Sequence, residues 1–101
     1  MHSKILLGKI LQRFADCKVA QVKGYKSFGY IKETNNAVIL SRENGVDTPV
    51  PFGKIELGIE AYKSNTTLYN EGPTVLREFN IKYITSPVFA LLHLLSIEDY
   101  E

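Results

Sequence analysis

A chain of 101 residues with 45% apolar content fits one small domain built around one core. No apolar run approaches the roughly 18 residues of a membrane span, and a single cysteine, Cys17, rules out an internal disulfide. Net charge is only +1, yet residues 1–42 carry eight Lys and Arg against Asp16 and Glu33, whereas residues 43–101 carry four against nine carboxylates. Such asymmetry points to an anionic partner, or to two halves that neutralise each other on folding or at a dimer interface.

The N-terminal stretch intersperses Lys and Arg among its leucines and lacks a small-residue cleavage site, so it reads as structure rather than as a signal peptide. With one cysteine, the expected compartment is the reducing cytoplasm, and the Asn65-Thr66-Thr67 sequon is then coincidental. Leu7, Ile10, Leu11 and Phe14 recur at helical spacing. They predict a first helix with Ser3 as its N-cap, ending near Asp16-Cys17.

From Lys18 the period changes. Val19, Gln21 and Lys23 alternate with Ala20, Val22 and Gly24, followed by Tyr25, Phe28, Tyr30 and Ile31, a β-rich composition. Thr34-Asn35-Asn36 marks a turn, and the run Ala37-Val38-Ile39-Leu40 a central strand. Asn44-Gly45 is the strongest hairpin cue, both residues tolerating the positive φ of a type I′ turn. Residues 46–50 form the return strand, with Pro49 suited to a sheet edge. Residues 18–50 therefore read as a three- to four-stranded antiparallel meander.

Residues 51–64 carry two patterns. Phe52, Ile55, Ile59 and Tyr62 make a helical stripe, while Ile55, Leu57, Ile59 and Ala61 alternate as a strand would. Length and Pro51 favour helix, and Gly53 and Gly58 weigh against it. Residues 68–72 read as a loop, 73–79 as a short helix with Asn80 as its C-cap, and 81–85 as an extended link. Ser86-Pro87 opens the strongest helix signal, with Ser capping and Pro in the first turn. Val88, Phe89, Leu91, Leu92 and Leu95 leave it almost no polar face, so it must be buried in a core or against another chain. The expected fold is α+β: a single domain with an N-terminal helix, the meander, and two or three C-terminal helices.

The chemistry is sparse. His2, His93 and Cys17 are the only imidazoles and thiol, so no metal-ligand spacing exists and no cofactor is expected. No phosphate-cradling glycine loop or dinucleotide fingerprint occurs. Glu56 and Glu60 lie one helical turn apart and could share a metal, but solvation on a helix face explains them equally. Asp47 followed by Glu60-Ala61-Tyr62-Lys63 misses the Glu-x-Lys spacing of a restriction-type nuclease by one residue. His93 sits in the most apolar helix, where a structural role is commoner than a base. These absences argue against an enzyme acting alone.

Residues 23–42 interleave Lys23, Lys26, Lys32 and Arg42 with Tyr25, Phe28 and Tyr30. Bases stack on aromatic faces while lysines meet phosphates, so this composition suits single-stranded nucleic acid. A regular strand from Lys26 to Lys32 would put Lys26, Phe28, Tyr30 and Lys32 on one face. The segment Lys26-Ser27-Phe28-Gly29-Tyr30-Ile31 resembles the nucleic-acid-binding strand of cold-shock domains, which implies stacking roles for Phe28 and Tyr30. The likeness spans these six residues; the N-terminal helix, the missing second aromatic motif and the helical C-terminal half depart from that family. Residues 74–79 and 86–95 outline a helix–turn–helix, but the second helix offers only His93 where base readers are needed.

Three functions follow from different classes. The first is a nucleic-acid-binding accessory or regulatory module using the basic, aromatic sheet face. The second is a protein-interaction or homo-oligomerisation module using Val88, Phe89 and Leu92. The weakest is an enzyme or small-ligand binder completed at an oligomer interface.

Overall fold

The N-terminal leucine pattern forms helix α1, Ser3–Cys17, with Leu6, Ile10 and Phe14 buried on one face. The computed structural model describes residues 1–101. The cap is His2 rather than Ser3: the His2 Nδ1 accepts the Lys4 N–H at 3.1 Å. Ser3 instead enters the helix and is buried, its hydroxyl 3.4 Å from the Lys63 ammonium. Lys18, at φ +66, ends α1 in a left-handed turn.

A four-stranded antiparallel meander follows, in spatial order β1 (Val19–Ala20), β2 (Phe28–Glu33), β3 (Ala37–Arg42) and β4 (Asp47–Pro51). One edge strand has only two residues, and the other contains Pro49 and Pro51. The Asn44-Gly45 hairpin is real but is not a two-residue type I′ turn. Arg42 N–H bonds Val46 O, Gly45 N–H bonds Arg42 O, and only Gly45 takes positive φ (+84). This is the three-residue loop in which a single left-handed glycine closes the turn. A register shift between Tyr30 and Lys32 interrupts β2, so the strict alternation expected from Lys26 to Lys32 does not hold.

Residues 52–64 resolve as helix α2, Phe52–Ser64, burying Ile55, Gly58, Ile59, Ala61 and Tyr62. Gly58, which counted against a helix, is the point of closest approach to the next helix. A Cβ there would lie 2.8 Å from Leu92 Cδ1 and 3.3 Å from Val88 Cγ1. Short 3-10 segments at Thr66–Asn70 and Pro73–Phe79 replace the expected loop and short α-helix. Asn80 caps the second in the left-handed conformation, as its side chain favours.

Helix α3 spans Thr85–Leu92 and starts one residue earlier than Ser86 predicts, with Ile84 at the N-cap and no side-chain cap. All six residues from Pro87 to Leu92 are buried, and α3 packs against α2, the Pro73–Phe79 segment and α1. Val88 and Leu92 close on Gly58, and Phe89 meets Tyr25 edge-on at 5.1 Å. The face assigned to an oligomer interface, Val88, Phe89 and Leu92, is therefore covered within the chain itself. Burying a side chain of that size stabilises by about 1.5–3 kcal/mol, which is the use the fold makes of it.

His93 sits at the end of α3 between Tyr69 and Phe89, with ring centroids at 4.1 and 4.3 Å. Its Nδ1 lies 2.9 Å from Phe89 O and its Nε2 2.9 Å from Tyr69 O. Both nitrogens face backbone carbonyls, and a neutral ring donates to one of them, so the imidazole is held inside the packing of these segments. A final 3-10 turn, Ile97–Tyr100, carries a capping box in which Asp99 accepts the Ser96 N–H at 3.0 Å. No helix is long and apolar enough to cross a membrane.

Candidate nucleic-acid interface

The aromatic face expected on β2 is not a continuous surface. Phe28 is 2% exposed and belongs to the core. Because β2 meets α1, with Phe28 in the core cluster and Tyr30 packed against it, the Phe-Gly-Tyr-Ile pattern serves packing. Tyr30 is half-buried, meeting the Phe14 ring edge-on at 5.2 Å and donating to Glu33 at 3.2 Å. Partial burial and then the Glu33 charge push its phenol pKa up. Lys32 is exposed beyond the register shift, and Lys23 is exposed in the loop before β2.

Three members of the predicted set do come together. Tyr25, Lys26 and Phe28 line a cleft of about 400 Å³, with Phe89 and Ser86 of α3, Gln21 and Glu43 around them. Tyr25 is 45% exposed there. Gln21 Nε2 donates to Tyr25 O (3.0 Å), and Glu43 Oε2 accepts the Ser27 N–H (2.9 Å), fixing the walls.

Arg42 is the remaining predicted cation, and the structure ties it to a region the sequence reading missed. Its Nε donates to Thr48 Oγ1 at 2.9 Å and its Nη2 to Tyr83 O at 3.3 Å, while its guanidinium carbon lies 6.0 Å from the Phe28 ring centroid. Residues 80–83 form a short link that turns at both ends, anchored by buried Ile81 and left-handed at Asn80 (φ +67) and Tyr83 (φ +66). Lys54 Nζ donates to Asn80 O at 2.8 Å, so a cation from α2 holds one end and Arg42 from β3 the other. Tyr83 is 93% exposed, more than any other large hydrophobic side chain. Beside it, Arg77, Lys82 and Thr85 line a second cleft of about 390 Å³.

The charges sort accordingly. Lys4 pairs with Glu56, Lys9 with Asp99 and Lys63 with Glu60, and these are the only ion pairs. The first two join the basic N-terminal half to the acidic C-terminal half, so part of the sequence dipole is cancelled inside the molecule. Glu56 and Glu60 go to different lysines, and no three His, Cys, Asp or Glu side chains converge where a metal could sit. Arg42, Lys54, Arg77 and Lys82 have no carboxylate partner. They share this with five other cations, but Arg77 and Lys82 lie in one cleft with Tyr83, while Arg42 and Lys54 bond the backbone carbonyls of Tyr83 and Asn80. The sequence held one signal for this group, Arg77 and Lys82 on either side of Asn80.

Comparison of the chain with protein-family models, curated proteins and solved structures finds no match. The function is read from the site alone.

Proposed function

We propose that the protein is a small nucleic-acid-binding accessory or regulatory module of the cytoplasm, and that it engages single-stranded nucleic acid through the turn at residues 80–83. The observation that carries this reading is Tyr83, 93% exposed in one cleft with Arg77 and Lys82, neither of them paired with a carboxylate, on a segment whose carbonyls Arg42 and Lys54 bond. An exposed aromatic ring is a stacking platform for an unpaired base, and the surrounding cations suit its phosphates. The ring stands out from the surface and has no regular helix or strand to enter a groove, which favours a single strand over duplex. The exposed free thiol of Cys17 agrees with a reducing compartment. Oligomerisation through α3 receives no support, because its apolar residues are internal.

The test is titration of fluorescein-labelled single- and double-stranded oligonucleotides at two salt concentrations. Single strands should bind more tightly, with affinity falling as salt rises. Arg77→Glu with Lys82→Glu should weaken binding at least about tenfold, since phosphate contacts dominate affinity. Tyr83→Gly should weaken it by about 1–3 kcal/mol, the worth of one stacked base. Absence of binding, or an affinity indifferent to salt and to these substitutions, would remove the reading.

A further inference from the structure

The two clefts share the first turn of α3, and Arg42 contacts a lining residue of each. Thr85 lines the one with Arg77 and Lys82, and its neighbour Ser86 lines the one with Tyr25 and Phe89. Arg42 bonds the carbonyl of Tyr83 at the first and lies over Phe28 at the wall of the second. Adjacent residues stand about 3.8 Å apart at Cα, so one short segment of strand can reach both. Their linings differ in kind. The Arg77–Lys82 cleft is cationic and suits phosphate. The other has aromatic walls, Tyr25 and Phe89, and presents a carboxylate, Glu43, and an amide, Gln21.

We infer that the Tyr25–Phe89 cleft is a base-selective subsite of the strand-binding surface, reading the nucleotide next to the one stacked on Tyr83, and that it selects guanine through Glu43. The inference rests on the reading of the basic turn as a single-strand site. A carboxylate only accepts hydrogen bonds. Glu43 Oε2 already takes the Ser27 N–H, which fixes the side chain at the cleft and leaves acceptor capacity for a ligand. A base must then offer donors. Guanine presents two adjacent donors, N1–H and N2–H, on its Watson–Crick edge, matching the two oxygens of a carboxylate. Thymine and uracil offer one N–H flanked by two carbonyl oxygens, which the carboxylate repels. Lys26 at the same cleft suits the phosphate of the selected nucleotide.

The experiment compares a fluorescein-labelled octamer of thymidylate with the same octamer carrying one central guanine, one cytosine, or one adenine. The guanine-bearing probe should bind at least about fivefold more tightly than the all-thymine probe, the discrimination one good bidentate contact supplies. Glu43→Gln keeps an acceptor for the Ser27 N–H and should bring the two probes within about twofold of each other. Tyr25→Ala removes a wall without touching that bond and should lose the same preference; thermal melts report whether each variant is folded. If all probes bind equally with salt-dependent affinity, the subsite is overturned and the single-strand reading stands. If guanine preference persists in both variants, the assignment to this cleft is overturned. If no probe binds, both readings fall.

Discussion

Tyr83 holds a left-handed backbone at φ +66 without being a helix cap, unlike Lys18 and Asn80 at similar angles. For a bulky L-residue this conformation costs about 1–2 kcal/mol, and the ring recovers little by burial. Glycine adopts the same angles freely, so Tyr83→Gly should leave thermal stability within about 1 kcal/mol of wild type while strand binding falls. A ring that served the fold would behave in the opposite way. Tyr62 is the converse case. Its ring is buried among Tyr69, His93 and Tyr100, and its hydroxyl has no hydrogen-bond partner. Burial, then the charge of Tyr69, drive that phenol pKa upward. A buried unsatisfied hydroxyl costs about 1–3 kcal/mol, so Tyr62→Phe should unfold at an equal or higher urea midpoint, whereas loss of stability would reveal a hidden partner. Residue type does not distinguish the two tyrosines in the sequence: one falls in a helical stripe, the other in an extended link.

The elements themselves were largely legible because their periodicities are strong. α1, the meander and α2 all emerge from spacing, and the two readings of residues 51–64 are settled by what Gly58 does. That glycine lowers the intrinsic helix propensity of α2 but lets it lie against Val88 and Leu92 of α3, a gain that only tertiary packing reveals. Gly58→Ala should therefore destabilise by about 1–3 kcal/mol by overpacking, despite alanine's better propensity; chemical denaturation checks the sign, and a stabilised variant would contradict the close approach. The aromatic alternation of β2 misled for a related reason. Phe28 and Tyr30 fit stacking and packing equally well as a pattern, and only the side of the sheet that α1 meets decides between them. Residues 80–83 were hard to read because their form depends on two distant cations, Lys54 and Arg42, bonding turn carbonyls.

At the scale of the molecule, the charge asymmetry was legible but its disposition was not. Two of the three ion pairs join the basic and acidic halves, and among the unpaired cations Arg77 and Lys82 share a cleft with Tyr83 before the first turn of α3. Asp99 closes the C-terminal turn onto α1. Partial burial opposes its charge, but the Ser96 N–H and hydroxyl and the positive Lys9 and Arg13 outweigh it and hold its pKa below the usual carboxylate value. A lowered folded-state pKa means the contribution is complete above the unfolded carboxylate value of about 4 and is lost as pH falls through the folded one. The melting-temperature gap between wild type and Asp99→Asn should accordingly be widest near neutral pH and narrow toward about pH 3; a gap that is constant with pH would count against the ion pair. The sheet margins carry a different consequence. β1 offers two residues and β4 lacks backbone donors at Pro49 and Pro51, so neither side can template the addition of a further strand. The sheet is thereby protected from edge-to-edge polymerisation at high concentration.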